Sequence, residues 1–160
     1  MKKSFASLAL TLLIGSASFA NASYRNYQPS SGAPYVGGAS SFDWSNWSYV
    51  DGVLTNNAGS NRTWTVPMTV DNAVSGSAHN AYGVMKVANA GQGTNTGQAV
   101  ANNLNGIRTY SGSVISPTCG GAGTYCDTFL GSVTYPNEGT VYVNYVVGNG
   151  NSIARTQIDQ

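Results

Sequence analysis

Two eight-residue runs, TWTVPMTV at 63–70 and TVYVNYVV at 140–147, alternate large apolar residues with smaller or polar ones. In the first, Trp64, Val66, Met68 and Val70 share one parity, with Thr63, Thr65, Pro67 and Thr69 on the other. In the second, Val141, Val143, Tyr145 and Val147 fall together. Successive side chains of an extended chain point to opposite faces, so this period of two predicts half-buried antiparallel strands. Pro67 cannot donate a ladder hydrogen bond, which places it on an edge strand or at a bulge.

Residues 81–89, 107–115 and 127–135 read as further strands, the last two interrupted by Gly112 and Gly131. Turn dipeptides punctuate the chain. Asp51-Gly52 predicts a hairpin pairing Val50 with Val53 and Tyr49 with Leu54, with Trp47 opposite Asn56. Asn149-Gly150 predicts a second, with Tyr145 facing Ala154 and Val143 facing Thr156. Short strands with such spacing favour an all-β fold, an antiparallel β-sandwich or jelly roll of about eight strands. A helix competes only at 96–104 (TGQAVANNL), where Thr96 would cap it and Gly106 end it, so at most one short helix is expected. The glycines at 91, 93 and 97 depart from a dinucleotide turn by one position, and the stretch reads as a Gly/Asn/Thr loop. No internal repeat is visible, which argues against a solenoid. Trp64 and Tyr49 are the expected large core residues, since small β domains depend on such apolar bulk.

The first 22 residues have the form of a secretory signal peptide. Lys2 and Lys3 precede a short apolar run from Leu8 to Ile14, and Ala20-Asn21-Ala22 supplies a small-residue cleavage site before Ser23. The run is too short to span a bilayer. A secreted protein of a Gram-negative bacterium is expected, extracellular or at the outer surface, with the periplasm as a further destination. Residues 23–41 read as a flexible Tyr/Gly/Pro/Ser leader, and 42–160 as a single β-sandwich domain. Cys119 and Cys126 are the only cysteines. In an oxidising compartment they are expected to form a disulfide, stabilising by roughly 2–3 kcal/mol through the short loop it closes.

Beyond the signal, five basic residues (Arg25, Arg62, Lys86, Arg108, Arg155) meet six acids (Asp43, Asp51, Asp71, Asp127, Glu138, Asp159), with no run of one sign. Nucleic acid is therefore not an expected partner, because a phosphate backbone demands clustered cations. No metal or cofactor site is expected: His79 is the only imidazole, and no calcium-loop pattern occurs. His79 sits among small residues and reads as a solvent-exposed loop histidine; no G-x-S-x-G elbow accompanies it.

A small secreted glycoside hydrolase is the enzymatic rival. Glu138 is the single glutamate, and hydrolysis of a glycosidic bond needs two carboxyls flanking it. The expectation is accordingly a non-enzymatic protein. The leading reading is a structural or adhesive subunit that self-associates through edge strands. The alternative is a lectin-like module that binds cell-surface or matrix glycan through exposed aromatics. SFDWSNWSYVDG at 41–52 supplies the candidate binding residues: Trp44 and Trp47 as stacking platforms, with Asp43 and Asn46 as hydrogen-bonding partners.

Overall fold

The strand signals resolve into two antiparallel sheets. The computed structural model describes residues 24–34, 44–69, 76–87, 95–117, 121–136 and 139–160. The strands are β1 (Tyr24–Tyr27), β2 (Ala33–Pro34), β3 (Trp47–Val50), β4 (Val53–Asn56), β5 (Arg62–Met68) and β6 (Ala78–Lys86). They continue with β7 (Asn95–Asn102), β8 (Arg108–Ser111), β9 (Tyr125–Thr134), β10 (Thr140–Val147) and β11 (Ser152–Asp159). The front sheet runs β3-β4-β11-β6-β9, with β1 also on β11; the back sheet runs β2-β5-β10-β7-β8. This is the expected β-sandwich, and the strands beyond the expected eight are mostly short edge pieces.

The two alternating runs became β5 and β10, paired from Val141 opposite Met68 to Val147 opposite Arg62. Their inward residues Trp64, Val66, Met68, Val141, Val143, Tyr145 and Val147 are buried and meet Leu54, Ala81, Met85, Leu130, Val133, Ile153 and Ile158 of the front sheet. Val70 lies outside the described residues. Pro67 is exposed where β5 runs past its two-residue contact with β2, as its missing donor requires. The hairpin at Asp51-Gly52 forms in the expected register, Trp47 to Asn56, Tyr49 to Leu54 and Val50 to Val53. Both turn residues have positive φ, 50° and 81°, as a two-residue hairpin demands.

Several expectations are corrected. Residues 96–104 are not helical: 95–102 form β7, which pairs along β10 from Asn95 opposite Val147 to Asn102 opposite Thr140. A helix there would leave the inner edge of β10 without partners, so tertiary pairing overrides local preference. The asparagines instead build the next turn, where Asn103 Oδ1 accepts from the N–H groups of Asn105 (3.0 Å) and Ile107 (2.9 Å). Asn149-Gly150 does not close a hairpin; β10 and β11 belong to opposite sheets. The turn bonds to β4, with Gly150 N–H donating to Asn56 O (2.7 Å) and Asn56 N–H donating to Asn151 O (3.1 Å). Asn56 Nδ2 also reaches Val147 O (2.6 Å), pinning the end of β10 to the front sheet.

Of the segment read as a flexible leader, residues 24–34 carry β1 in the front sheet, a 3-10 turn at Pro29–Ser31 and β2 in the back sheet. Tyr27 secures it: its hydroxyl donates to the Thr69 carbonyl and accepts from Thr69 N–H (2.7 Å). Tyr49 keeps its predicted pairing but is 45% exposed, because β3 is the outermost strand of its sheet. His79 is buried within β6 rather than solvated in a loop.

Candidate functional site

Trp44 and Trp47, with Asn46 between them in the turn that leads into β3, bring two rings over the indole of Trp64. Trp44 meets Trp64 edge-on at 5.1 Å and Trp47 meets it tilted at 4.9 Å. Trp64 is fully buried and donates Nε1–H to Pro29 O at 2.9 Å. Asn46 offers its main-chain carbonyl to Asn57 N–H (2.7 Å). The two outer tryptophans thus cover the buried one, although Trp44 remains 52% exposed. Asp43 lies outside the described residues.

A second aromatic group, which the sequence reading did not single out, crosses the outer face of the front sheet. Alternation sends Tyr24 and Asn26 of β1 outward, with Arg155, Gln157 and Asp159 of β11, Tyr82, Val84 and Lys86 of β6, and Tyr125, Asp127 and Phe129 of β9. Register sets them side by side: Asn26 opposite Gln157, Gln157 opposite Tyr82, and Tyr82 opposite Phe129. The rings of Tyr24 and Tyr82 meet edge-on at 5.7 Å, and those of Tyr82 and Phe129 are tilted at 5.3 Å. Tyr24 is 46% and Phe129 50% exposed, so the stripe offers apolar surface to solvent.

Beside the stripe lies an open depression of about 340 Å³ lined by Tyr24, Tyr82, Asp127 and Gln157. Gln157 Nε2 donates to Asn26 Oδ1 (2.7 Å), which fixes the amide orientation. Asp127 is exposed, and among the described residues no side-chain hydrogen bond or ion pair engages its carboxylate. Asp159 is differently placed: Oδ1 accepts from Asn80 N–H (2.6 Å) and Oδ2 from Asn80 Nδ2 (2.9 Å). Burial, the hydrogen bond with Tyr24 and the nearby charges, including Asp159 and Asp127, hold the Tyr82 phenol above the ordinary tyrosine range. Tyr82 is therefore a neutral hydroxyl, able to donate or accept.

The remaining chemistry is sparse. Ser77 Oγ stands 2.7 Å from His79 Nε2, and His79 Nδ1 lies 3.2 Å from the Asp159 carbonyl and 3.5 Å from its Oδ1. The order matches a Ser-His-Asp relay, but both oxygens of the Asp159 carboxylate are bonded to Asn80 and the His79 side chain is only 11% exposed. The three side chains tie the start of β6 to the end of β11. No group of three His, Cys, Asp or Glu residues suited to a metal occurs among the described residues. Glu138 lies outside them, as does Cys119. Cys126 is buried opposite Met85, and no described cysteine is free. No described helix is long and apolar enough to cross a membrane.

No protein-family model and no curated protein matches the chain. Among solved structures it is similar to the Podospora anserina GH26-CBM35 β-(1,4)-mannanase, with 15% identity and a TM-score of 0.48, over 86% of this chain and 28% of that one. It is also similar to the C-terminal family 22 carbohydrate-binding module of Clostridium thermocellum Xyn10B, with 11% identity and a TM-score of 0.44, over 85% and 84% of the two chains. The chain thus spans little more than a quarter of the mannanase chain. Both scores lie below one half, so the β-sandwich assignment rests on the two sheets themselves and no function is carried over.

Proposed function

We propose that this chain is a secreted, non-catalytic glycan-binding module whose site is the outer face of the front sheet. The observation that carries the reading is the exposed stripe Tyr24–Tyr82–Phe129 bordering a depression with polar groups on its walls. Aromatic faces take the C–H surfaces of a sugar ring at little entropic cost, and hydroxyl, amide and carboxylate groups beside them satisfy its hydroxyls. Tyr24, Tyr82, Gln157 and Asp127 supply those groups. Trp44 is the second exposed platform, but its ring is already committed on one side to Trp64.

Signal-peptide cleavage before Ser23 would leave Tyr24 one residue from the new N-terminus, with β1 as the first strand of the mature chain. Export also favours a disulfide from Cys119 to Cys126, the second residue of β9. Self-assembly through edge strands has less support. The free side of β5 carries Pro67, and β9 is broken by a register shift at Gly131, whose φ is 114°. Both features discourage strand addition.

Affinity electrophoresis through gels containing soluble polysaccharides of different backbone and linkage tests the reading. The wild-type chain should be retarded by at least one of them. Tyr82→Ala and Phe129→Ala should each bind about tenfold more weakly, equivalent to loss of roughly 1.4 kcal/mol of contact. Retardation by none of the panel, or retardation indifferent to both substitutions, would overturn it.

A further inference from the structure

We infer that the glycan taken by this face carries free amino groups, as in a de-N-acetylated amino-sugar polymer; this deepens, and rests on, the glycan-binding reading above. Two independent features of the depression point to a cation. The first is its π surface: Tyr24 and Tyr82 both line it, their rings meeting edge-on at 5.7 Å, and Phe129 extends the aromatic surface beyond Tyr82. A ring face attracts an ammonium group, more strongly once water is displaced. The second is Asp127, whose carboxylate lines the same volume without a hydrogen-bond or ion-pair partner among the described residues.

The other charged and titratable groups on the face leave that carboxylate available. Asp159 is satisfied by Asn80. Lys86 directs its ammonium over the ring of Tyr125, 5.2 Å from the centroid, rather than to Asp127. Arg155, beyond Val84 on β11, does not line the depression. Tyr24 and Tyr82 are phenols that offer hydroxyls. The Lys86–Tyr125 pair also shows an amine seated on an aromatic ring of this same face. A neutral sugar would offer Asp127 only hydroxyl donors, whereas a protonated amine offers a charge-assisted bond and a partner for the rings.

The test compares three oligosaccharides of equal length and linkage by titration calorimetry: glucosamine, N-acetylglucosamine and glucose oligomers, at a pH that protonates the amines. The glucosamine oligomer should bind about tenfold more tightly than the other two, with affinity falling as salt rises. Asp127→Asn should bring its affinity down to theirs. Asp127 is exposed, so the variant should fold, and an unchanged thermal transition verifies that. Equal binding of all three, or an amine preference that survives Asp127→Asn, would overturn the inference while leaving glycan binding intact. Failure of all three, with polysaccharide retardation also absent, would remove both readings.

Discussion

Gly83→Ala adds one methyl group on the inner side of β6, directly behind the aromatic face. The new Cβ would stand 2.7 Å from Tyr145 Oη, 3.0 Å from its Cε1 and 3.2 Å from Leu130 Cδ1. Relief is blocked on several sides. Tyr145 is fully buried and its hydroxyl is held 2.8 Å from Thr156 Oγ1; Leu130 also lies against Gly97, where a Cβ would meet its Cδ2 at 2.8 Å. Overpacking of this kind costs roughly 1–3 kcal/mol. Gly83 has ordinary extended backbone, so alanine recovers roughly 0.4–1 kcal/mol by restricting the unfolded chain. The net expectation is a loss of about 1–2 kcal/mol, or a fall in Tm of about 3–7 °C for a domain of this size.

Urea unfolding followed by tryptophan fluorescence measures that loss, and a double-mutant cycle locates its cause. Tyr145→Phe removes the nearest clashing atom but orphans the fully buried Thr156 hydroxyl, at roughly 1–3 kcal/mol. If the phenol is what the new methyl strikes, Gly83→Ala should cost at least ~0.5 kcal/mol less in the Tyr145→Phe background. A stable or stabilised Gly83→Ala, or strictly additive costs, would refute the proposed packing of Tyr145 between the sheets.

Asn56→Ala should cost about 1–3 kcal/mol in chemical denaturation, because it strips buried partners from Val147 O and Ser60 O at once. Burial raises the Tyr145 phenol above the ordinary value of 10.0, so the folded state holds its proton where the unfolded chain releases it. That contribution is complete below the unfolded pKa and declines as pH rises above it; Tyr145→Phe should show a shallower loss of stability in alkaline solution. Intact-mass measurement with alkylation should find no free thiol in the exported protein, and reduction should lower stability by roughly 2–3 kcal/mol.

The sequence made the central strands and one register plain, because those depend on local information. β5 and β10 announce themselves by alternation, and Asp51-Gly52 fixes the β3–β4 pairing through two positive φ values. Sheet membership is not local. Asn149-Gly150 carries the same kind of signal, yet β11 pairs with β6, and Asn56 captures the turn's backbone groups. The proposed binding face was hidden for a related reason. Tyr24, Tyr82 and Phe129 sit on strands far apart in sequence, and one of them lay in a stretch that composition marked as a leader. The available signal was the outward parity of Tyr82 and of Tyr125, Asp127 and Phe129, since solvent-facing positions rarely carry several large rings together. The tryptophan-rich segment drew notice by density, and much of that density covers Trp64.

The most direct test of the central claim pits the two aromatic groups against each other. On a polysaccharide that retards the wild-type chain, Phe129→Ala and Trp44→Ala should be compared side by side by affinity electrophoresis, each first shown to be folded. Phe129→Ala should weaken binding about tenfold, while Trp44→Ala should remain close to wild type. Loss of binding in Trp44→Ala with Phe129→Ala unaffected would contradict the claim and move the site to the tryptophan cluster.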